Sequence, residues 1–147
     1  MKINNKFKLQ IKSVPDNVAF ARVTAAAFAS QLDFTLNELE EIKVALSEAV
    51  TNSIVHGYEN NDNNYIELAV SLTEAGMEMC VEDNGKGIED ISQAMEPAYS
   101  TDPERMGLGF VFMQSFMDNF KVESEKNKGV KVVMFKKVSS VDGKPEH

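Results

Sequence analysis

Tryptophan is absent from the 147 residues, and one cysteine, Cys80, excludes an intramolecular disulfide framework. Histidine occurs only twice, and no Cys/His spacing suits a zinc site. Cations are scarce: 15 Lys and Arg stand against 23 Asp and Glu, a formal net charge of −8. That balance argues against nucleic acid or an anionic membrane as a direct partner. It leaves room for a basic protein partner or a local cationic pocket. No apolar run approaches the roughly 18 residues of a membrane span. Met1-Lys2-Ile3-Asn4-Asn5-Lys6 lacks the apolar core of a signal peptide. The expected compartment is the cytoplasm.

What is present has the composition of a globular protein, 43% hydrophobic and 26% charged. One domain is expected over residues 1–138, with a polar, frayed tail at 139–147. Nine Phe, three Tyr and eight Met can fill the core, where Met serves as gap-filler or as an adaptable contact surface. Cys80 falls in an apolar strand pattern, which predicts a buried structural thiol.

Alternation marks Phe7–Lys12 as a half-buried strand. Pro15 or Asp16 opens a helix with apolar positions at Val18, Phe20, Val23, Ala27 and Phe28. Arg22 is its one strong cation, most simply a solvated charge. Thr35 is a suitable N-cap for the next helix, with Glu38 in the first turn. That helix is expected to end at His56-Gly57, with Gly57 just past the cap. Tyr65–Leu72 and Met77–Glu82 alternate as a hairpin, stopped by Asp83-Asn84-Gly85-Lys86-Gly87. Ile88 to Met95 reads as a short helix. Glu96 to Arg105 is polar, aperiodic and long for a connection, which marks a functional loop. Gly107-Leu108-Gly109 opens a helix through Met117, and Phe120–Ser124 with Val130–Val138 forms a last hairpin. The order predicts an α+β, two-layer sandwich: a mostly antiparallel, mixed sheet with helices on one face.

The helix from Thr35 carries the puzzle. Leu39, Ile42, Leu46 and Val50 form one apolar stripe, while Val44 and Val55 flank a second face that holds Glu48 and Asn52. These two are one turn apart, about 40° around the axis. Alone, they read as an exposed Glu with a nearby Asn. On a covered side, both need polar partners.

Three further features supply a reason. Asp83 ends a strand and is followed by Gly85 and Gly87. An acceptor there can take a hydrogen bond from an exocyclic amine, and the glycines leave room for a flat ring. Ser100, Thr101 and Arg105 lie in the long loop, and Arg105 offers a fork for phosphate oxygens. Gly107 and Gly109 at a helix start let backbone N–H groups approach an anion. Asn52 offers an amide oxygen to Mg²⁺, and Glu48 is placed to accept a proton. Each signal alone is weak. The pattern is neither a P-loop nor Gly-X-Gly-X-X-Gly after a strand.

Glu48-X3-Asn52, Asp83-X-Gly85-X-Gly87 and Gly107-Leu108-Gly109 together resemble the N box and the two glycine boxes of the GHKL ATPase/kinase superfamily. Phe20-Ala21-Arg22-Val23-Thr24 and Leu46–Tyr58 resemble its anti-sigma serine kinases, most closely the sporulation branch. The resemblance implies the Bergerat fold with ATP/ADP and Mg²⁺ as cofactors. It implies Glu48 as the base facing a substrate serine, Asn52 as the Mg²⁺ holder and Asp83 as the adenine reader. Ser100, Thr101, Arg105, Gly107, Leu108 and Gly109 would serve the phosphates. Arg22 would lie on a partner surface, and a homodimer would grip one sigma factor and phosphorylate an anti-anti-sigma protein.

Two features depart from the pattern. Gly129-Val130 stands where many members have Gly-Thr, and Ser47 stands where histidine kinases have His before the N-box Glu. Other readings share the boxes. They are a general-stress anti-sigma kinase, an ATP-driven clamp, a histidine-kinase catalytic domain and a nucleotide-gated binding module. A clamp is expected to carry a transducer domain, and a histidine kinase a phosphoacceptor helix. A binding module would not require Glu48.

Overall fold

The computed structural model describes residues 2–95 and 106–139. In chain order the elements are β1 (Ile3–Lys12), α1 (Asp16–Ala29), α2 (Leu36–Asn52), β2 (Tyr65–Thr73), β3 (Gly76–Asp83), α3 (Ile91–Ala94), α4 (Met106–Phe116), β4 (Asn119–Ser124) and β5 (Val130–Lys137). The strands form one sheet in the order β1-β2-β3-β5-β4, antiparallel at every pairing among the described residues. The expected α+β sandwich is present, and its sheet, expected as mixed, is wholly antiparallel there.

Side-chain alternation sorts the two faces of the sheet. Ile66, Leu68, Val70, Met77, Met79, Val81, Val132 and Met134 point inward and are buried. The α-helices cover that face, and five methionines at 77, 79, 113, 117 and 134 fill the space between the layers. Their place is the core. The other face carries Lys8, Ala69, Cys80, Val133 and Lys121 in one cross-strand row. Cys80 is therefore half-buried on the helix-free face rather than inside the core. Partial desolvation there raises its thiol pKa, so it stays protonated.

Helix α2 begins where Thr35 predicts. The Thr35 hydroxyl accepts from Glu38 N–H at 3.0 Å, and Glu38 Oε1 accepts from Thr35 N–H at 2.8 Å. This capping box satisfies two otherwise unpaired donors. The helix buries Ile42, Ala45, Leu46, Ala49 and Val50 and packs between α1, α4 and the sheet. Its far end departs from expectation. Ser53–Gly57 forms a π-helical turn that continues α2, and Tyr58 N–H closes on Ser53 O at 2.8 Å. Gly57 is thus not a left-handed residue past a cap. It is buried, and a Cβ placed on it would lie 3.0 Å from the Asp83 carboxylate. Its hydrogen atom is what lets the helix end approach the strand end.

Lys136 ties three elements together. Its Nζ donates to Glu41 Oε1 on α2 at 2.6 Å and to Phe116 O, the last residue of α4, at 2.7 Å. Ser139, expected in the tail, donates to Glu38 Oε2 at 2.7 Å. Residues 140–147 lie outside the described residues.

Candidate functional site

Three loops interlock at one edge of the helical layer. Lys86 N–H donates to Gly57 O at 2.9 Å, and Asn127 N–H donates to Lys86 O. The Tyr58 hydroxyl accepts from Asn84 N–H at 2.7 Å and donates to Tyr65 O at 2.6 Å. Gly85 packs so closely that a Cβ would meet Gly57 O at 2.2 Å. Gly87 has φ +76°, which L side chains rarely adopt, and its Cβ position lies 2.0 Å from Glu125 O. The α2 terminus, the segment 83–87 and the β4–β5 turn therefore hold one another by backbone contacts.

A cleft of about 840 Å³ opens beside this lock. Asn52, Ser53, His56 and Gly57 line it from α2 and its π turn. Asp83 lines it from the end of β3, Gly87 and Ile88 from the segment after it, and Val130 from β5. Phe110 closes it from α4. The volume falls in the range of small-molecule sites.

Asp83 is 3% exposed. Burial raises its carboxyl pKa, opposed by a 2.9 Å hydrogen bond from Gly85 N–H and by the Ser53 hydroxyl and the Val130 amide. A buried acceptor held in place by the Gly85 N–H is a fixed recognition element. The Asn52 amide is the second. Its Nδ2 is buried with no hydrogen-bond partner among the described residues. Buried polar groups without partners are rare and call for a ligand or another specific cause.

Glu48 is not part of the cleft lining. It stands one turn before Asn52, under the start of α4. A Cβ on Gly109 would lie 2.9 Å from Glu48 Oε1 and 3.5 Å from Asn52 Nδ2. The second glycine box is therefore where α4 settles onto the Glu48/Asn52 face. Gly107, Leu108 and Gly109 lie at the start of α4 as described, directly after Met106. Partial burial raises the Glu48 carboxyl pKa.

The structure thus brings Asn52, Asp83 and Gly87 to one cleft, with Glu48 and Gly109 in contact beyond its end. Gly85 does not line the cleft, because it faces the Gly57 carbonyl. Arg22 is half-buried, and its Nη1 donates to Ser47 Oγ at 3.3 Å. It is tied to Ser47 on α2 rather than loose in solvent. Ser100, Thr101 and Arg105 lie outside the described residues. Sequence reasoning missed Ser53, His56, Ser124 and Val130 as lining residues. Val130 is the position at which the sequence departs from the Gly-Thr pattern. Ser53 and His56 carried a signal too, since both follow Asn52 on one helix.

The chain matches the model of the histidine kinase-like ATPase domain over residues 11–136. It is 51% identical over 135 residues to the anti-sigma F factor of Clostridium botulinum strain Eklund 17B, covering 90% of this chain and 94% of that protein. The protein belongs to the anti-sigma F factor family. A second member, from Clostridium acetobutylicum, is 48% identical over 142 residues, covering 95% of this chain and 99% of its own. A solved structure of the RsbU and RsbW domains of Rv1364c from Mycobacterium tuberculosis has a TM-score of 0.63 at 13% identity. It covers 90% of this chain and 32% of that one, a likeness of fold alone.

Proposed function

We propose that this protein is an ATP-dependent protein serine kinase that also holds a sporulation sigma factor inactive. The observation that carries the reading is the orphaned Asn52 amide, buried between the Asp83 cleft and Glu48. Asp83 would accept from the exocyclic amine of adenine. Asn52 would hold Mg²⁺ through its amide oxygen. The described residues contain no group of three or more His, Cys, Asp or Glu able to cage a metal. A single amide ligand suits Mg²⁺, which keeps several waters and phosphate oxygens. When bound, the ion supplies charge neutralisation at the phosphates.

The chain's own residues would do the rest. The N–H groups around Gly107, Leu108 and Gly109 face anionic charge, and Arg105 with Ser100 and Thr101 would contact the γ-phosphate. Glu48 orients the serine hydroxyl of an anti-anti-sigma protein and takes its proton. The serine Oγ–P bond forms, the bond from Pγ to the bridging oxygen breaks, and ADP leaves. Arg22 lies on the surface that meets a partner, and two copies of the chain would grip one sigma factor in the cytoplasm. The relatives' names favour the sporulation branch over a general-stress kinase.

The test is transfer of label from γ-labelled ATP with Mg²⁺ to the anti-anti-sigma protein. Label on a serine, lost in Glu48→Ala while ATP still binds, is expected. ATP hydrolysis with no protein labelled would turn the reading to an ATP-driven clamp. ATP binding without transfer in either form would leave a nucleotide-gated binding module.

A further inference from the structure

Asn84-Gly85 is the only Asn-Gly pair in the chain. It is the pair most open to deamidation, because glycine presents its backbone nitrogen with no Cβ to shield it. In that reaction the Gly85 nitrogen loses its proton to hydroxide and attacks Asn84 Cγ. The new C–N bond closes a five-membered succinimide. The Asn84 Nδ2 leaves as ammonia, taking a proton back from water. A second water opens the ring at either carbonyl, which gives aspartate or isoaspartate. Water is the only co-reactant, and Asn84 is exposed to it.

The fold holds this chemistry in check. The attacking nitrogen is committed, since Gly85 N–H donates to Asp83 Oδ1 at 2.9 Å. The Gly85 backbone has no room to swing, because a Cβ on it would already meet Gly57 O at 2.2 Å. On one side Asn84 N–H is held by the Tyr58 hydroxyl at 2.7 Å, and on the other Lys86 N–H is held by Gly57 O at 2.9 Å. Ring closure needs the Gly85 nitrogen to leave Asp83 and turn to Asn84 Cγ, so these contacts must open first. We propose that Asn84-Gly85 is a modification site gated by the interlock: silent while the α2 terminus and the segment 83–87 are joined, and deamidated when they part. Isoaspartate carries the main chain through its side-chain carbon, one atom longer, and sets a second carboxylate beside buried Asp83. A segment packed this closely on Gly57 has no space for the extra atom. The converted protein therefore does not relock, and its cleft is lost. One consequence rests on the ATP reading above: nucleotide held at Asp83 keeps the interlock shut and so protects Asn84.

Peptide mapping by mass spectrometry follows conversion at Asn84 in the full chain, folded and in urea, at one temperature and one mildly alkaline pH. Conversion in the folded protein should be about tenfold or more slower than in urea, because local opening must precede it. Tyr58→Phe removes the acceptor of Asn84 N–H. It should speed conversion of the folded protein roughly threefold or more, with a thermal melt showing that the variant is still folded. Isoaspartyl protein, separated by ion exchange, should show no ATP binding by calorimetry at concentrations that saturate the unconverted fraction. ATP at about 100 times its Kd should slow conversion of the wild type about a hundredfold, since only the closed state binds it. Equal rates folded and in urea would overturn the gating, and a converted fraction with full ATP affinity would overturn its consequence. ATP that binds without slowing conversion would break the link between nucleotide and interlock. A wild type that binds no ATP would instead sink the ATP reading, while the folded and urea rates still decide whether the site is gated.

Discussion

Glu48 is a carboxylate kept partly out of water by the start of α4, and its pKa is raised for that reason. Two expected outcomes follow from that one cause. A base must be deprotonated to act, so the acid limb of the kcat–pH profile should lie above the ordinary Glu value of 4.5. A group whose folded pKa is raised is most stable protonated, so its presence lowers stability as pH rises through that pKa. Glu48→Gln should therefore abolish transfer and yet leave the protein as stable as wild type at pH 7, or more so by about 1–3 °C in Tm. The gain should vanish below pH 4. A Tm for Glu48→Gln well below wild type at pH 7 would contradict the desolvation argument. At this scale the placement of Glu48, Asn52 and Asp83 around one region was legible, because Glu, Asn and Asp on spaced boxes have few structural excuses. Gly57 and Gly85 were not. A glycine needed for close approach looks in sequence like one needed for a turn, and only the Gly57–Asp83 and Gly85–Gly57 contacts separate the two.

Elements were readable where one face is buried and one is wet. The β2–β3 and β4–β5 hairpins follow their alternation, and Thr35 with Glu38 gives α2 its start. The π turn left no such mark, since a single extra residue changes no periodicity that a five-residue segment can show. The glycines at the helix and loop boundaries allow a contrast. In Gly109→Ala the new methyl crowds the far end of the Glu48 side chain, at 2.9 Å, and touches the Asn52 amide at ordinary contact distance, 3.5 Å. Ala also favours a helix by about 1 kcal/mol over Gly. Stability should hold within a few degrees in Tm, while phosphoryl transfer falls about tenfold or more because Glu48 is displaced from its geometry. In Gly87→Ala the methyl meets the Glu125 backbone oxygen at 2.0 Å, at φ +76°. That change should cost roughly 1–3 kcal/mol of stability and weaken ATP binding, because strain at the lock has no flexible neighbour to absorb it. Denaturant melts beside transfer assays would distinguish the two patterns. A Gly109→Ala protein as active as wild type would show that α4 does not set Glu48.

At the scale of the molecule, the Glu48/Asn52 face is one end of a contact among α2, α4 and the sheet, and Lys136 pins the other end. From sequence Lys136 was simply a polar residue near the end of a strand. In the fold its alternation points it inward, where its side chain is only 10% exposed, against 32% for that of Glu41. Lys136→Met keeps most of the apolar stem. It leaves the Glu41 carboxylate without its cation and the Phe116 carbonyl without its donor. The expected loss is roughly 1–3 kcal/mol, below that of a fully buried pair because Glu41 is partly solvated. In a Glu41→Gln background the same substitution should cost less, since no charge is stranded. Gly109 and Phe116 are separated by about 10 Å along α4, at 1.5 Å per residue. ATP affinity in Lys136→Met should therefore stay within twofold of wild type. Nucleotide at about 100 times its Kd should raise the stability of both proteins by the same increment, about 2.7 kcal/mol. Equal increments would show that α4 is held independently at its two ends. A smaller increment in Lys136→Met would show that loosening the helix at Phe116 reaches Gly109, and so that α4 transmits between the pin and the site as one rigid body.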